Sequence, residues 1–254
     1  MAHHDGRDDS AHPEPVERRR GDSLSPQPTP CLAVPLGTVE YTRALELQRG
    51  LHRQVAEGSL PDLLLLLEHP HVYTLGRRGK ESDVLVSEER LSRLGAEVHN
   101  TDRGGEVTYH GPGQLVGYPI VDLRRWGGGP MSYVRALEET LVATLREFGV
   151  EAGRNEKPTG VWVADAKIAA IGVKISRRVT MHGFALNVHP DLSYFEHIVP
   201  CGMPRVEVTS MASMLSEKVS VERVMPVLAD HFGTTFGTSV EWAEVESLGA
   251  VVGV

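Results

Sequence analysis

A single cysteine in a turn-forming context is the residue of this chain best suited to covalent chemistry. Cys201 lies in the segment VPCGM at 199–203, where the flanking proline and glycine predict a turn that could present the thiol to a ligand. The other of the two cysteines, Cys31, follows a proline-rich stretch, so a structural disulfide is a poor explanation for either. Because a free cysteine more often only packs in a core, a catalytic assignment depends on the residues that accompany it.

A glycine-rich segment, RGGEVTYHGPGQ at 103–114, is the densest group of residues with binding potential. Paired glycines let the backbone approach a ligand closely, and their N–H groups can then face an acyl oxygen or a phosphate. Arg103 could pair with an anionic group, while Tyr109 and His110 offer ring surfaces with polar tips. A plain turn between two strands is the alternative. Neither a Walker lysine nor a βαβ context accompanies these glycines, so the pattern favours a ligand-binding loop of another kind.

A strand with a lysine near each end is predicted at Lys167–Lys174. The small residues between the lysines leave room for a chain-like ligand beside the strand. A strand lysine is usually a solvated edge residue. A desolvated lysine beside a thiol would instead lower the thiol pKa as an ammonium, or take a proton as an amine. Since Lys167 and Lys174 are seven residues apart, a regular strand places them on opposite faces of the sheet.

Histidines offer no metal site in this sequence. His182 precedes the apolar strand at 183–188, and a single histidine in that position is more often packed than catalytic. The twelve histidines and two cysteines form no HExxH or CxxC arrangement. We therefore expect no bound metal.

Charge and hydropathy restrict the class of protein. The net charge of −8 argues against a general nucleic-acid binder, whose surface must neutralise phosphates. The longest apolar run, Leu63–Leu67, is far shorter than a membrane span. The first residues lack the apolar core of a secretory signal, and with two cysteines this predicts a cytoplasmic protein without membrane segments.

Hydrophobic periodicity predicts an α+β fold. Residues 1–30 have the composition of a disordered N-terminal extension, and residues 31–254 are expected to form a single domain. The patterns predict strands at 32–36, 63–68, 114–123, 161–163, 167–176 and 180–188, and helices at 41–55, 87–94, 132–148 and 220–232. Helices in the first half and at the end, with a meander of strands between, favour a mixed, largely antiparallel sheet flanked by helices.

Four segments taken together resemble the octanoyltransferase family of lipoate biosynthesis. They are RGGEVTYHGPGQ at 103–114, KIAAIGVKI at 167–175, HGFALNV at 182–188 and VPCGM at 199–203. The resemblance covers about residues 31–240, without a departure inside the motifs. It implies a fold similar to the catalytic domains of lipoate and biotin protein ligases.

The resemblance implies a role for individual residues. Cys201 becomes the nucleophile that holds the acyl group as a thioester, and Lys167 lowers the thiol pKa and shuttles its proton. Substrate binding is implied for three groups: Arg103, Gly104, Gly105, Glu106, Val107, Thr108, Tyr109 and His110; Ala170, Ile171 and Gly172; Gly183, Phe184 and Ala185.

The same resemblance implies the reaction and its partners. Members move an octanoyl or lipoyl group from acyl carrier protein to a lysine of a lipoyl domain, in 2-oxoacid dehydrogenase E2 subunits and in the glycine cleavage H protein. No cofactor and no ATP are needed, because an amide lies downhill from a thioester.

Two alternatives stay open at this point. An ATP-dependent lipoate or biotin ligase shares the implied fold and an Arg-Gly-Gly loop, but it activates the acid as an adenylate and needs no cysteine nucleophile. A catalytically inactive module that only binds lipoyl domains would not need the cysteine and lysine pair.

Overall fold

The computed structural model describes Met1 and residues 30–155, 159–199 and 206–248. Within these residues the strands are β1 (Cys31–Thr38), β2 (Leu63–Glu68), β3 (Val72–Leu75), β4 (Glu97–Asn100), β5 (Val107–His110), β6 (Gln114–Ile120), β7 (Gly160–Val163), β8 (Ala166–Ser176), β9 (Val179–Asn187) and β10 (Val240–Trp242). The α-helices are α1 (Tyr41–Glu57), α2 (Glu88–Leu94), α3 (Leu123–Trp126), α4 (Pro130–Glu147), α5 (Met211–Met214) and α6 (Val221–Phe236). Short 3₁₀ turns occupy Glu81–Asp83, Leu192–His197 and Val245–Leu248. The predicted N-terminal extension lies almost wholly outside the described residues.

A seven-stranded sheet with the order β10-β1-β2-β6-β9-β8-β7 forms the centre of the domain. Strand β1 runs parallel to both of its neighbours, and the remaining pairs are antiparallel. The expected mixed, largely antiparallel sheet flanked by helices is therefore confirmed.

Strand β2 shows why this sheet is covered on both faces. Leu64 and Leu66 pack in the core cluster that contains helices α4 and α6. Leu63, Leu65 and Leu67 pack in a second cluster with helix α1. Because side chains alternate between the faces of a strand, a run of five leucines fits only a strand buried on both sides.

Serine side chains cap the starts of α2 and α6. The side chain of Ser87 accepts a hydrogen bond from the backbone of Arg90 at the start of α2, and Gly95 ends the helix at φ 62°. Ser220 caps α6 in the same way. The predicted strand at 114–123 is too long, because Asp122 caps the short helix α3 through the N–H of Arg124.

A second, three-stranded sheet with the order β4-β3-β5 was not predicted. It changes the interpretation of residues 103–114. Val107–His110 is a strand paired with β3, the residues before it form a glycine-rich loop, and residues 111–113 form the turn into β6.

A bulge in β8 overturns the expectation that Lys167 and Lys174 lie on opposite faces. Against β7, Val161 pairs with Ala169 and Trp162 pairs with Lys167, so Ile168 is an extra residue. Beyond the bulge the alternation is regular, as shown by continuous pairing with β9 from residue 169 to 176. The extra residue reverses the parity, so Lys167 shares a side of the sheet with residues 170, 172 and 174.

In the part of the chain that the structure describes, no helix is long and apolar enough to cross a bilayer.

Candidate active site

A cavity of about 470 Å³ lies where β5, β8 and β9 meet the loop before β5. Its walls include Lys167 together with every residue for which substrate binding was predicted: Arg103, Gly104, Gly105, Glu106, Val107, Thr108, Tyr109, His110, Ala170, Ile171, Gly172, Gly183, Phe184 and Ala185. Segments separated by up to about 80 residues in sequence thus border one space. Their roles in binding stay predictions.

The guanidinium of Arg103 holds the glycine-rich loop against β3. Arg103 is buried, and its Nη2 donates to the carbonyl oxygen of Thr74 at 2.6 Å and to that of Glu106 at 2.8 Å. Its Nη1 donates to the carbonyl oxygen of Gly104 at 3.0 Å. These contacts assign Arg103 to fixing the shape of the loop, and they favour that role over the capture of an anionic group.

Close backbone approaches explain glycines in two of the predicted segments. The N–H of Gly104 donates to the carbonyl oxygen of Val173 at 2.9 Å, which docks the loop on β8. A Cβ atom at Gly172 would lie 2.8 Å from the carbonyl oxygen of Gly104, and one at Gly183 would collide with the carbonyl oxygen of Gly117. These glycines therefore set the spacing of the backbone around the cavity.

An ionic network that the sequence analysis missed closes one side of the loop. Asp102 accepts hydrogen bonds from Lys174 Nζ at 2.6 Å and from His182 Nε2 at 2.8 Å. Partial burial raises the pKa of Asp102, but the hydrogen bonds and charges of Lys174 and His182 outweigh this and lower it to about 2. The carboxylate thus stays ionised and links the loop to both β8 and β9.

The backbone of His182 adopts a conformation that is uncommon for a residue with a side chain. Its φ is 56°, in the left-handed region, and its N–H donates to Gln48 Oε1 on α1 at 2.8 Å. The side chain is buried, and burial lowers the pKa of the imidazole. Such strain persists only where surrounding contacts hold it, as those from Gln48 and Asp102 do here.

Two further buried histidines border the same region in the neutral state. His69 Nδ1 donates to the carbonyl oxygen of Val39 at 2.6 Å, so its Nε2 accepts from the hydroxyl of Tyr118 at 2.7 Å. Burial lowers the pKa of His69 to about 4. His110, whose ring centroid lies 5.8 Å from that of His69, has its pKa lowered well below the usual value, first by burial and then by the charges of His69 and Arg103.

Lys167 is held at the other end of β8. Its N–H donates to the carbonyl oxygen of Glu207 at 2.8 Å, and its carbonyl oxygen accepts from the N–H of Thr209 at 3.0 Å. The ammonium lies 5.5 Å from the centre of the Trp162 ring. Because a Cβ at Gly160 would lie 2.5 Å from Lys167 Cε, the glycine leaves space for the lysine side chain.

Cys201 lies outside the described residues, so its distance from Lys167 stays a prediction. The residues on either side of its segment contact the cavity wall. Ile198 packs in a cluster with Val107 and Tyr109, which border the cavity. Before it, the N–H of Val199 donates to the carbonyl oxygen of Asp83 at 2.9 Å. After it, Val206 and Val208 line the cavity, and Val208 pairs with Lys167.

The second cysteine is a core residue. Cys31 is 1% exposed in the cluster with α4 and α6, and burial raises the pKa of its thiol far above the usual value. A thiol in this state is a poor nucleophile, because the thiolate is the reactive form.

Comparisons with known proteins identify the family to which the chain belongs. Residues 40–233 match the family model described as the lipoyl protein ligase A/B catalytic domain. The chain is 53% identical over 206 residues to an octanoyltransferase of Solibacter usitatus, which covers 81% of this chain and 93% of the relative.

Two solved structures show the same fold. A putative lipoate protein ligase from Thermoplasma acidophilum superposes with a TM-score of 0.70 at 18% identity, covering 85% of this chain and 89% of that one. The biotin protein ligase from Aquifex aeolicus, in complex with biotin and ATP, gives a TM-score of 0.50 at 11% identity, covering 81% and 70%. The family resemblance seen in the sequence motifs is confirmed: the chain belongs to the lipoyl protein ligase A/B catalytic-domain family and, within it, to the octanoyltransferases.

Proposed function

We propose that this octanoyltransferase-family chain moves an octanoyl group from acyl carrier protein to a lysine of a lipoyl domain, through a thioester on Cys201. The observation that carries the proposal is that Lys167 and all three predicted substrate-binding segments border one cavity. The described residues on either side of the Cys201 segment support this, because Ile198 packs with Val107 and Tyr109 of the cavity wall and Val208 pairs with Lys167.

In the first half-reaction, the Cys201 thiolate, favoured by the ammonium of Lys167, attacks the thioester carbon. The carbonyl electron pair moves to oxygen, and collapse of the tetrahedral intermediate expels the carrier thiolate. That thiolate takes a proton from Lys167. Cys201 then carries the acyl group, and Lys167 is a neutral amine.

In the second half-reaction, the neutral amine of the substrate lysine attacks the acyl-Cys201 carbon. The tetrahedral intermediate expels the Cys201 thiolate, and the proton lost from the attacking nitrogen returns Lys167 to the ammonium form. The net products are an amide and the free thiol of the carrier. No nucleotide is consumed, because the amide is more stable than the thioester.

The acceptors that we propose are the lipoyl domains of 2-oxoacid dehydrogenase E2 subunits and the glycine cleavage H protein, and the compartment is the cytoplasm. Residues 31–254 act as the catalytic domain, and residues 1–30 are an extension that the reaction does not need. The roles proposed for residues 103–110, 170–172 and 183–185 are to surround the acyl chain.

The proposal is tested by intact mass after incubation with octanoyl carrier protein. We expect the mass of one octanoyl group to be added to the wild type and to Cys31→Ser, and not to Cys201→Ala. Labelling that persists in Cys201→Ala would refute the assignment. Transfer that requires free octanoate and ATP would identify a ligase instead, and absence of any adduct or transfer would indicate a binding module.

A further inference from the structure

The hairpin turn between β8 and β9 carries two arginines in an unfavourable backbone conformation. Ser176 pairs with Val179, so Arg177 and Arg178 form a two-residue loop, and their φ angles are 52° and 67°. A two-residue turn with both φ angles positive is of type I′, for which Asn-Gly is a favoured sequence. The Cβ atom of an arginine crowds the backbone in this region, so the choice of two arginines lowers the stability of the turn.

Neighbouring elements hold the turn in place. His52 Nε2, on α1, lies 3.1 Å from the carbonyl oxygen of Ser176 and 3.3 Å from that of Val179. The N–H of Leu123, at the start of α3, donates to the carbonyl oxygen of Arg178 at 2.8 Å. Strained backbone persists only where its surroundings fix it, and it clusters at functional sites. The strain therefore directs attention to the two side chains that the turn presents.

The side chains of the turn carry positive charge that the described residues leave unneutralised. Both arginines are exposed, and no carboxylate in the described part of the chain forms an ion pair with either. Asp122 forms an isolated bridge with Val179 beside the turn, but its carboxylate is bound to Arg124. Asp62 is likewise bound to Arg125.

Helix α1 adds two more exposed arginines to this surface. Arg49 and Arg53 lie on either side of His52 in the sequence, and neither forms an ion pair within the described ranges. The chain as a whole has a net charge of −8. A local cationic surface on an acidic protein attracts an anionic partner to one place, while the remaining surface repels it.

The turn lies beside the cavity. Val173, four residues before Arg177 on β8, and its partner His182 on β9 both line the cavity. Four residues of a strand span about 13 Å. A lysine side chain has only a four-carbon stem, so an acceptor domain must sit directly at the opening. The acyl group of a carrier protein is borne on a much longer pantetheine arm, so a docking surface at this distance fits the donor better than the acceptor.

We propose that Arg177 and Arg178 dock an acidic face of the acyl carrier protein, and that Arg49 and Arg53 extend the docking surface. The inference rests on the proposed transferase function, because that function makes a carrier protein the acyl donor. The strained turn then keeps two cationic side chains at a fixed place on the surface, at the expense of stability. The lipoyl domain is the other protein partner, and the experiment must separate the two.

Binding of octanoyl carrier protein, measured by calorimetry in the Cys201→Ala background, tests the docking without turnover. Arg177→Asn/Arg178→Gly removes both charges and introduces the sequence that the turn favours. We expect its melting temperature to rise by about 2–4 °C. Its Kd for the carrier should increase by about 5- to 30-fold at low salt. Near about 1 M salt, where the screening length is about 3 Å, the chains with and without the two arginines should bind alike.

Two further variants control for charge and for the loss of arginine as such. Arg177→Lys/Arg178→Lys keeps both charges and should bind the carrier nearly as tightly as the parent chain. Arg90→Gln/Arg93→Gln removes two exposed arginines from α2 and should leave the Kd unchanged. Unchanged binding in Arg177→Asn/Arg178→Gly, or an equal loss in the α2 variant, would overturn the inference.

Steady-state transfer by chains that retain Cys201 identifies the partner. In Arg177→Asn/Arg178→Gly, KM should rise for octanoyl carrier protein and stay the same for the lipoyl domain and for octanoyl pantetheine, which lacks the protein. A rise confined to the lipoyl domain, or an equal rise for octanoyl pantetheine, would overturn the inference while the proposed function stands. Failure of the wild type to form any Cys201 adduct would refute the proposed function, and the calorimetry would still decide whether the carrier docks on the turn.

Discussion

The ammonium of Lys174 lies 2.6 Å from a carboxylate oxygen of Asp102, the residue that precedes the glycine-rich loop. The other carboxylate oxygen binds His182, so Asp102 joins the loop to two strands at once. Lys174 therefore supports the site from outside the reacting centre. Because of the bulge at Ile168, it does so from the same side of β8 as Lys167.

Lys174→Met should have a small effect on stability and a larger one on substrate binding. Both partners of the ion pair are about one-third exposed, so we expect a loss of at most about 1 kcal/mol in the free energy of unfolding. The loop should become less ordered, which raises KM more than it lowers kcat. Urea unfolding and steady-state transfer kinetics measure the two effects. Asp102→Asn weakens the contacts to both strands, so it should lower stability and raise KM more than Lys174→Met does. Smaller changes in Asp102→Asn than in Lys174→Met would contradict this view of the network.

Lys167→Met should shift the reactivity of Cys201 to higher pH. Loss of a neighbouring ammonium removes a charge that favours the thiolate, so the pKa of the thiol rises. The rate of iodoacetamide alkylation against pH reports this pKa. Lys174→Met is the matched control, since that lysine is already paired with Asp102. An identical pH profile in wild type and Lys167→Met would disprove the coupling. Cys31 should stay unlabelled because it is buried.

Deletion of residues 2–29 tests the proposed boundary of the catalytic domain. This stretch is rich in charge and proline and poor in large apolar residues, so it has little surface to bury. We expect nearly the same melting temperature and transfer rate as in the full chain. A large fall in either would mean that the extension docks on the domain and that the boundary is misplaced.

The features that the sequence predicts well are those set by local pattern. The strand of five leucines at 63–68 and the helices predicted at 87–94 and 220–232 each carry their signal within a few residues. The grouping of the binding segments also follows from recognisable motifs. These features need no knowledge of distant contacts.

The features that the sequence does not reveal depend on other segments. Lys167 pairs with Val208 along one edge and with Trp162 of β7 along the other, and Ile168 is the extra residue beside it. Nothing in the sequence KIAAIGVK indicates this bulge. The left-handed backbone of His182 is held by Gln48, 134 residues earlier. Strand β4 is short and mostly exposed, so it has no apolar pattern by which to find it.

Stability should fall as the pH drops below about 6.5, through the buried neutral histidines His69, His110 and His182. Their pKa values are lowered in the folded state, so below the unfolded value the unfolded chain binds more protons and is favoured. Each of these histidines lowers the free energy of unfolding by up to about 1.4 kcal/mol for every unit that the pH falls. For His69 this loss continues down to its folded pKa of about 4. Asp102 adds to the loss only below about pH 4.

Urea unfolding between about pH 7 and pH 5 measures this slope. The slope of the free energy of unfolding against pH gives the number of protons taken up on unfolding. His69→Gln should lower that number by about one at the acid end of this range, whatever the absolute stability of the variant. His231→Gln, on helix α6 away from the cavity, is the control for a histidine change as such. An unchanged slope in His69→Gln would show that His69 does not resist protonation in the folded state.

A substitution at Ala170 should change which acyl-chain length the enzyme prefers, whereas a substitution at Gly172 should not. Both residues border the cavity on the same side of β8. A side chain at Gly172, however, would meet the carbonyl oxygen of Gly104 at 2.8 Å, and a backbone atom cannot move aside without displacing the loop. Gly172→Ala should therefore destabilise the fold by about 1–3 kcal/mol and slow transfer of every acyl chain.

Ala170→Val should instead occupy part of the space beside β8 and leave the loop in place. Each buried methylene contributes about 0.8 kcal/mol to the binding of the acyl chain. Long chains have more methylenes that no longer fit, so they lose more binding free energy than short chains do. The transfer rates of four-, eight- and twelve-carbon acyl carrier proteins should shift toward the shorter acids in Ala170→Val alone. A uniform loss in Ala170→Val, or a shift in chain length with normal stability in Gly172→Ala, would show that the acyl chain follows a different wall of the cavity.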